Sequence, residues 1–158
     1  MSSGPHESAP AFSIQPAKAE HASQIRQLIR DVDISPKGLD WMRFLIAVDP
    51  EGGLIGCGQI KPHADGTQEL ASIAVKPAWR GRGVARAIIE HLLASQVGGV
   101  YLITMASLGP LYGKFGFAPV KLDEMSTYFR RISQLPGMIA EFSRVGDSLL
   151  VMRRLAAK

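Results

Sequence analysis

Apolar positions along the chain fall into short runs of two kinds, and the period of each run separates strands from helices. Phe12-Ser13-Ile14 alternates as a short strand does, whereas from Ala17 onward Ile25, Leu28, Ile29 and Val32 recur at the i, i+3, i+4, i+7 spacing of one buried helix face. Ser35-Pro36-Lys37-Gly38 breaks that period and leads into a loop or short second helix around Leu39 to Met42. Phe44 to Val48 and Leu54 to Ile60 read as strands of a hairpin turned by Pro50-Glu51-Gly52-Gly53, and Asp65-Gly66 signals a further turn into a strand from Thr67 to Val75. A helix over Val84 to Gln96 carries Val84, Ala87, Ile88 and Leu92 on one face and is stopped by Gly98-Gly99. Val100 to Met105 is continuously apolar, the signature of a strand covered on both faces, which makes the preceding helix a crossover to a parallel neighbour. Beyond it, Pro110 to Phe115 reads as a short helix and Phe117 to Val120 as extended. Ser126 to Phe142 reads as a helix broken at Pro136-Gly137, and Ser148 to Leu155 as a closing strand.

This order of elements predicts an α+β fold: a mixed central sheet that starts antiparallel, has a parallel pair in its fourth and fifth strands, and carries helices on both faces. Residues 1–11, rich in Ser, Gly and Pro, have no apolar period and are expected to form a flexible tail, leaving 12–158 as a single domain. A chain of 158 residues is long enough for one such core without metal or disulfide staples. The single cysteine, Cys57, lies in the apolar run Leu54 to Gly58, so no intramolecular disulfide is possible and a buried, inert thiol is expected. No run approaches the ~18 apolar residues of a membrane span, and the N-terminal residues lack the charged-then-apolar order of a signal peptide. A cytoplasmic protein is expected.

Charge sharpens the picture. Residues 1–60 hold five Lys/Arg against seven Asp/Glu, net −2, while residues 61–158 hold thirteen against seven, net +6, so the later part is the basic one within a total of +4. Such a surplus suits a polyanionic small ligand, nucleic acid or merely a solvated basic face. The basic residues are not interleaved with aromatics as single-strand stacking platforms require, which argues against nucleic acid.

The sharpest feature is the junction Val75-Lys76-Pro77-Ala78-Trp79-Arg80-Gly81-Arg82-Gly83-Val84-Ala85. Glycines just before a helix let several unpaired N–H groups converge on one point, where the helix dipole also favours negative charge. A mononucleotide loop is excluded, because Gly-x4-Gly-Lys-Ser/Thr is absent; a dinucleotide fingerprint is excluded by Arg86, which stands where a third glycine belongs. A tight strand-to-helix turn with no ligand remains the alternative.

The surrounding residues complete a family pattern. Strand, Pro77, then Arg80-x-x-Gly83-x-Ala85 opening an amphipathic helix resembles the signature of the Gcn5-related N-acetyltransferase (GNAT) superfamily. Leu111-Tyr112-Gly113-Lys114-Phe115-Gly116-Phe117 is similar to that superfamily's Tyr-x-x-x-Gly-Phe segment after the fifth strand. Together the two landmarks cover roughly Thr67 to Val120.

The resemblance implies a GNAT-like fold and acetyl-coenzyme A as cosubstrate. Its pyrophosphate would rest on the amides of Arg82 to Ala85, helped by the Arg80 and Arg82 side chains, with Gly81 shaping the turn. Its pantetheine arm would lie along Ile73-Ala74-Val75, where the fourth and fifth strands splay. Many relatives hold that arm with an asparagine; here the segment reads Met105-Ala106-Ser107-Leu108, and Ser107 is the polar side chain in its place. The implied acceptor is a primary amine of a small molecule or peptide, and a homodimer is compatible with the family.

Attack by that amine requires loss of a proton from an ammonium whose ordinary pKa is about 10.4. Glu69, six residues before Val75, matches the general-base glutamate of the family's histone-type members; the alternative is a solvated glutamate at a strand edge. By period-two alternation Ile73 and Val75 would share its side of the strand. Tyr112 falls at the family's general-acid position, or else packs beside Phe115 and Phe117. His6, His21, His63 and His91 show no metal-ligand spacing, and no metal is expected. Arg130-Arg131 would clamp a carboxylate or form a solvated face. A coenzyme A-binding module without turnover is the rival to an enzyme.

Overall fold

The computed structural model describes residues 11–155, so the expected tail at residues 1–11 lies, apart from Ala11, outside the described residues. Among the described residues seven strands form a mixed sheet in the order β1-β2-β3-β4-β5-β7-β6. They are β1 Ser13–Pro16, β2 Phe44–Val48, β3 Leu54–Pro62, β4 Gln68–Val75, β5 Val100–Met105, β6 Ala118–Pro119 and β7 Leu149–Arg154. The helices are α1 Ala22–Asp31, α2 Val84–Ala94, α3 Gly109–Gly113, α4 Thr127–Ile132 and α5 Pro136–Arg144. The described residues divide into two compact units, 11–59 with 72–94 and 60–71 with 95–155, and β3 and β4 contribute to both.

In the first unit, β1 and β2 pair antiparallel, as do β2 and β3, with Ile46 opposite Cys57 and Phe44 opposite Gln59. The two faces of β3 receive different helices. Ile25, Leu28 and Ile29 of α1 join Phe44, Ile46, Cys57 and Ala74 in one buried cluster, which is the helical face the i, i+3, i+4 spacing predicts. On the opposite face α2 lies so close that a Cβ at Gly56 would sit 2.8 Å from Val84 Cγ1, and one at Gly58 would sit 2.6 Å from Ile73 Cδ1 and 2.8 Å from Ile88 Cγ2. Glycine at both positions is therefore what lets the helix seat on the strand. The α2 stripe is wider than the spacing alone suggests, since Ile89 and Leu93 are buried along with Val84, Ile88 and Leu92. Cys57 is buried as expected, and desolvation pushes its thiol up to about 12, where it stays protonated and inert.

Ser72, in the middle of β4, is left-handed at φ +59. A left-handed residue inside a strand is a bulge, and it disrupts side-chain alternation. The period-two rule that would put Ile73 and Val75 on the side of Glu69 therefore does not carry across it. The Ser72 hydroxyl accepts from Gln59 Nε2 at 2.9 Å, and the same nitrogen donates to Gly38 O at 3.2 Å, tying the loop after α1 to the bulge.

In the second unit, Gln68 and Glu69 of β4 pair in parallel with Val100 and Tyr101 of β5, which is the expected crossover product. β7 runs antiparallel to β5 and also pairs with the two-residue β6. Tyr101, Val120, Met125, Phe129 and Val151 form the buried cluster here. The helical segment expected over Ser126–Phe142 breaks at Pro136 as its sequence indicated, into α4 and α5, because Pro136 cannot continue α4 but suits the first turn of α5.

Candidate active site

The junction after β4 folds as an amide cradle. Pro77–Trp79 make one 3-10 turn, and Gly81 and Gly83 take φ of +77 and +83, values that a side chain resists. The first bond of α2 runs from Ala87 N to Gly83 O at 3.0 Å. Among the described residues, the amides of Gly81 to Arg86 donate no backbone hydrogen bond, so the helix dipole and a row of free N–H groups face the same space. A Cβ at Gly81 or Gly83 would meet nothing within 4 Å. Val75, Trp79, Arg80, Gly81, Gly83, Val84, Ala85 and Arg86 enclose a depression of about 140 Å³ there. Its size and donors suit a diphosphate, and the residues present fit the coenzyme that the sequence resemblance implies.

Of the flanking cations, Arg80 is exposed. Arg82, also exposed, lies over the Trp79 ring, its guanidinium carbon 4.9 Å from the centroid, a cation–π contact that holds it beside the cradle. Ile73 is half-buried over Gly58, Ala74 is buried, and Val75 is half-buried at the edge of the depression.

The chemistry-bearing residues of the second unit fall in separate places. Glu69 is buried, with its Oε1 2.7 Å from His63 Nε2. His63 stacks on Tyr128 with centroids 3.7 Å apart and planes at 15°, and meets Phe129 edge-on at 5.5 Å. Asp65 locks this cluster: it accepts from Thr67 N at 3.0 Å within the turn and from Tyr128 N at 2.8 Å on α4. Although desolvation acts against it, hydrogen bonds from Thr67, Tyr128 and Ser126 hold the Asp65 carboxyl well below its usual range. The Tyr128 phenol is raised by desolvation and by the charges of Glu69 and Asp65. Glu69 is thus no solvated strand-edge carboxylate.

Tyr112 sits on α3 and packs edge-to-face with Phe117 at 6.3 Å. Burial raises its phenol, so it holds its proton above the ordinary range and stays a donor near neutral pH. Ser107 is already engaged: its hydroxyl donates to Asp147 Oδ2 at 2.5 Å, and Asp147 also accepts from Ser148 N at 2.8 Å. The Ser107 side chain therefore fastens the loop before β7, and its lone pairs are what it has left to offer a ligand. Arg130 and Arg131 are both exposed, and Arg130 donates to carbonyls, to Met125 O at 2.9 Å and Leu122 O at 3.4 Å. Among the described residues no three His, Cys, Asp or Glu side chains gather as a metal site, and no helix is long and apolar enough to cross a membrane.

His63 is the functional candidate that spacing for metal ligands passed over. The signal was present in the hairpin: with His63 N bonded to Thr67 O, Glu69 lies two residues beyond the pairing point, on the diagonal that brings same-face side chains together.

An acetyltransferase (GNAT) domain profile matches residues 40–119, just over half of the chain. The chain belongs to the GNAT family of acetyltransferases. No curated protein matches it. Among solved structures it is similar to N-acetylglutamate synthase from Neisseria gonorrhoeae complexed with coenzyme A and N-acetyl-glutamate, at 20% identity and a TM-score of 0.71 over 93% of this chain. The match spans only 35% of that larger protein. It is also similar to Rv2747 from Mycobacterium tuberculosis in complex with CoA and NLQ, at 20% identity and TM-score 0.68, covering 92% of this chain and 99% of that one. Escherichia coli ElaA matches at 19% identity and TM-score 0.64 over 90% of this chain and 99% of its own. These likenesses establish the fold.

Proposed function

We propose that this protein is an N-acetyltransferase that moves the acetyl group of acetyl-coenzyme A directly onto a primary amine of a small molecule or peptide, with residues 12–158 acting as one catalytic domain in the cytoplasm. The observation that carries the proposal is the cradle, whose left-handed glycines and unpaired amides are suited to the coenzyme's diphosphate. Val75, Arg80 and the amides of Arg82 to Ala85 would hold it, and Ile73 and Ala74 would line the pantetheine arm. When bound, acetyl-coenzyme A supplies a thioester carbonyl open to attack by an amine lone pair.

The chain's own residues manage the protons. Glu69 takes the proton that the substrate ammonium must lose before its nitrogen is nucleophilic. Tyr112, kept protonated by burial, gives its phenolic proton to the departing sulfur. A backbone N–H in the Ile73–Val75 stretch offers a hydrogen bond to the developing oxyanion. The acceptor class follows the neighbours: the gonococcal synthase is complexed with N-acetyl-glutamate, which favours an α-amino group among the amines to try first. The test is to mix protein and acetyl-coenzyme A with L-glutamate, L-glutamine, L-lysine, polyamines and peptides with free N-termini, and to follow free thiol. Amine-dependent thiol release supports the proposal; coenzyme binding without release across the panel would identify a silent coenzyme-binding module.

A further inference from the structure

His63 belongs to no part of the reaction described so far, yet it is the group that Glu69 touches. A carboxylate oxygen can only accept, so a 2.7 Å contact between Glu69 Oε1 and His63 Nε2 requires the proton to sit on Nε2. The two side chains are only 11% and 9% exposed respectively, so water competes weakly for that bond. The ring itself cannot turn freely. It is stacked on Tyr128 and flanked by Phe129, while Asp65 binds the Tyr128 amide and so fixes α4 against the turn that carries His63. The backbone of His63 is held at both ends of that turn, its N–H donating to Thr67 O at 2.9 Å and its carbonyl accepting from Gly66 N at 3.0 Å. Glu69 Oε2, by contrast, receives no hydrogen bond from the described residues.

We infer that His63 is a positioning residue for the acetyl-transfer reaction: its Nε2–H occupies Glu69 Oε1 and thereby presents Oε2 as the oxygen that receives the proton of the substrate ammonium. The inference rests on Glu69 being the base. The proton balance is simple: the ammonium N–H bond breaks, an O–H bond forms at Oε2, and the His63 Nε2–H stays in place throughout. Holding the carboxylate in one orientation is the contribution, since a base free to rotate spends part of its time with neither oxygen aligned.

Two variants separate this role from packing. His63→Phe keeps a ring to stack on Tyr128 but removes the donor; His63→Gln loses the ring but can present an N–H at the same position. Thiol release is followed with L-glutamate, L-glutamine and a free-N-terminus tripeptide, using whichever the wild type acetylates fastest. The expected result is a fall in kcat of about tenfold or more for His63→Phe with KM for acetyl-coenzyme A within twofold, and recovery of most of that loss in His63→Gln. His63→Phe combined with Glu69→Gln should be no slower than Glu69→Gln alone, as two parts of one device are not additive. A fall in His63→Gln with full activity in His63→Phe would show that the ring only packs, and the inference fails. Should Glu69→Gln itself stay within threefold of wild type, the base assignment falls first and His63 with it, which is a distinguishable outcome. Nitrogen-15 spectra of the wild-type imidazoles give a reading that needs no turnover: a protonated, exchange-protected Nε2 on His63 supports the arrangement, and a bare Nε2 overturns it.

Discussion

Replacing Gly83 by alanine isolates the cradle's contribution to binding from its contribution to folding. Gly83 holds φ +83, and a Cβ built there meets nothing within 4 Å, so the substitution introduces no clash and acts on stability only through backbone strain. A left-handed non-glycine residue costs about 1–2 kcal/mol, offset in part by the reduced freedom of alanine in the unfolded chain. A net loss of about 1 kcal/mol corresponds to ~2–4 °C in Tm for a chain of this length. Binding should suffer more, because the methyl enters the space that the free amides of Gly81 to Arg86 face. Losing even one charge-assisted bond to a phosphate, worth about 1.5–3 kcal/mol, weakens affinity by roughly 10-fold to 100-fold. The control is Gly52→Ala in the β2–β3 turn, where φ is +86 and the Cβ again meets nothing within 4 Å, so the folding penalty is the same and no cradle is touched. Thermal melts and calorimetric titration with coenzyme A read the two effects separately. If Gly83→Ala binds coenzyme A as wild type does, or if Gly52→Ala loses as much affinity, the argument that these amides hold the ligand is wrong.

Tyr112→Phe and Glu69→Gln should each lower kcat by roughly 100-fold or more with little change in coenzyme affinity by calorimetry, and a loss below about threefold would return either residue to a packing role. Because burial raises the Tyr112 phenol above its ordinary value of about 10, its acid function is retained as pH rises through 9, so no Tyr112-dependent fall in kcat is expected below about pH 10; a fall centred near 8 that vanishes in Tyr112→Phe would refute this. Cys57, raised by desolvation from 9.0 to about 12, should resist thiol reagents in the native state at pH 8. Its neutral thiol favours the folded state fully below pH 9, and that contribution is lost as pH rises from about 9 to about 12; denaturant titrations of wild type and Cys57→Ala at several pH values should show the difference shrinking on the alkaline side. Gly58→Ala, whose Cβ would fall 2.6 Å from Ile73 Cδ1, should destabilise by about 1–3 kcal/mol in the same titrations, and an unchanged midpoint would mean that α2 is seated more loosely than described.

Most of the fold was legible because its elements are periodic in the simple way the rules assume. The buried face of α1 is the i, i+3, i+4 set of Ile25, Leu28 and Ile29, and the continuous apolar run of β5 announced a parallel neighbour. The cradle was legible for a different reason: glycines ahead of an amphipathic helix are required by backbone geometry, and that requirement is local. What local rules could not show was contact made through space. Gly56 and Gly58 read as members of an apolar strand, whereas their purpose is the close seat of α2, visible only once the helix is placed. Ser72 carries no sequence mark of its left-handed conformation, so alternation along β4 was carried too far. Ser107 and Asp147 are 40 residues apart, and nothing in either neighbourhood says that the hydroxyl is already taken. His63 lies in a readable hairpin with Glu69, but their contact is made across the strands, and metal-ligand spacing carries no trace of it.

The most direct measurement is titration of the full, untagged chain with coenzyme A by calorimetry, with the melting temperature followed in parallel. The account predicts saturable binding of one coenzyme per chain and a rise in melting temperature that grows with ligand concentration. Absence of heat, together with a melting curve that coenzyme A leaves unmoved, would contradict it.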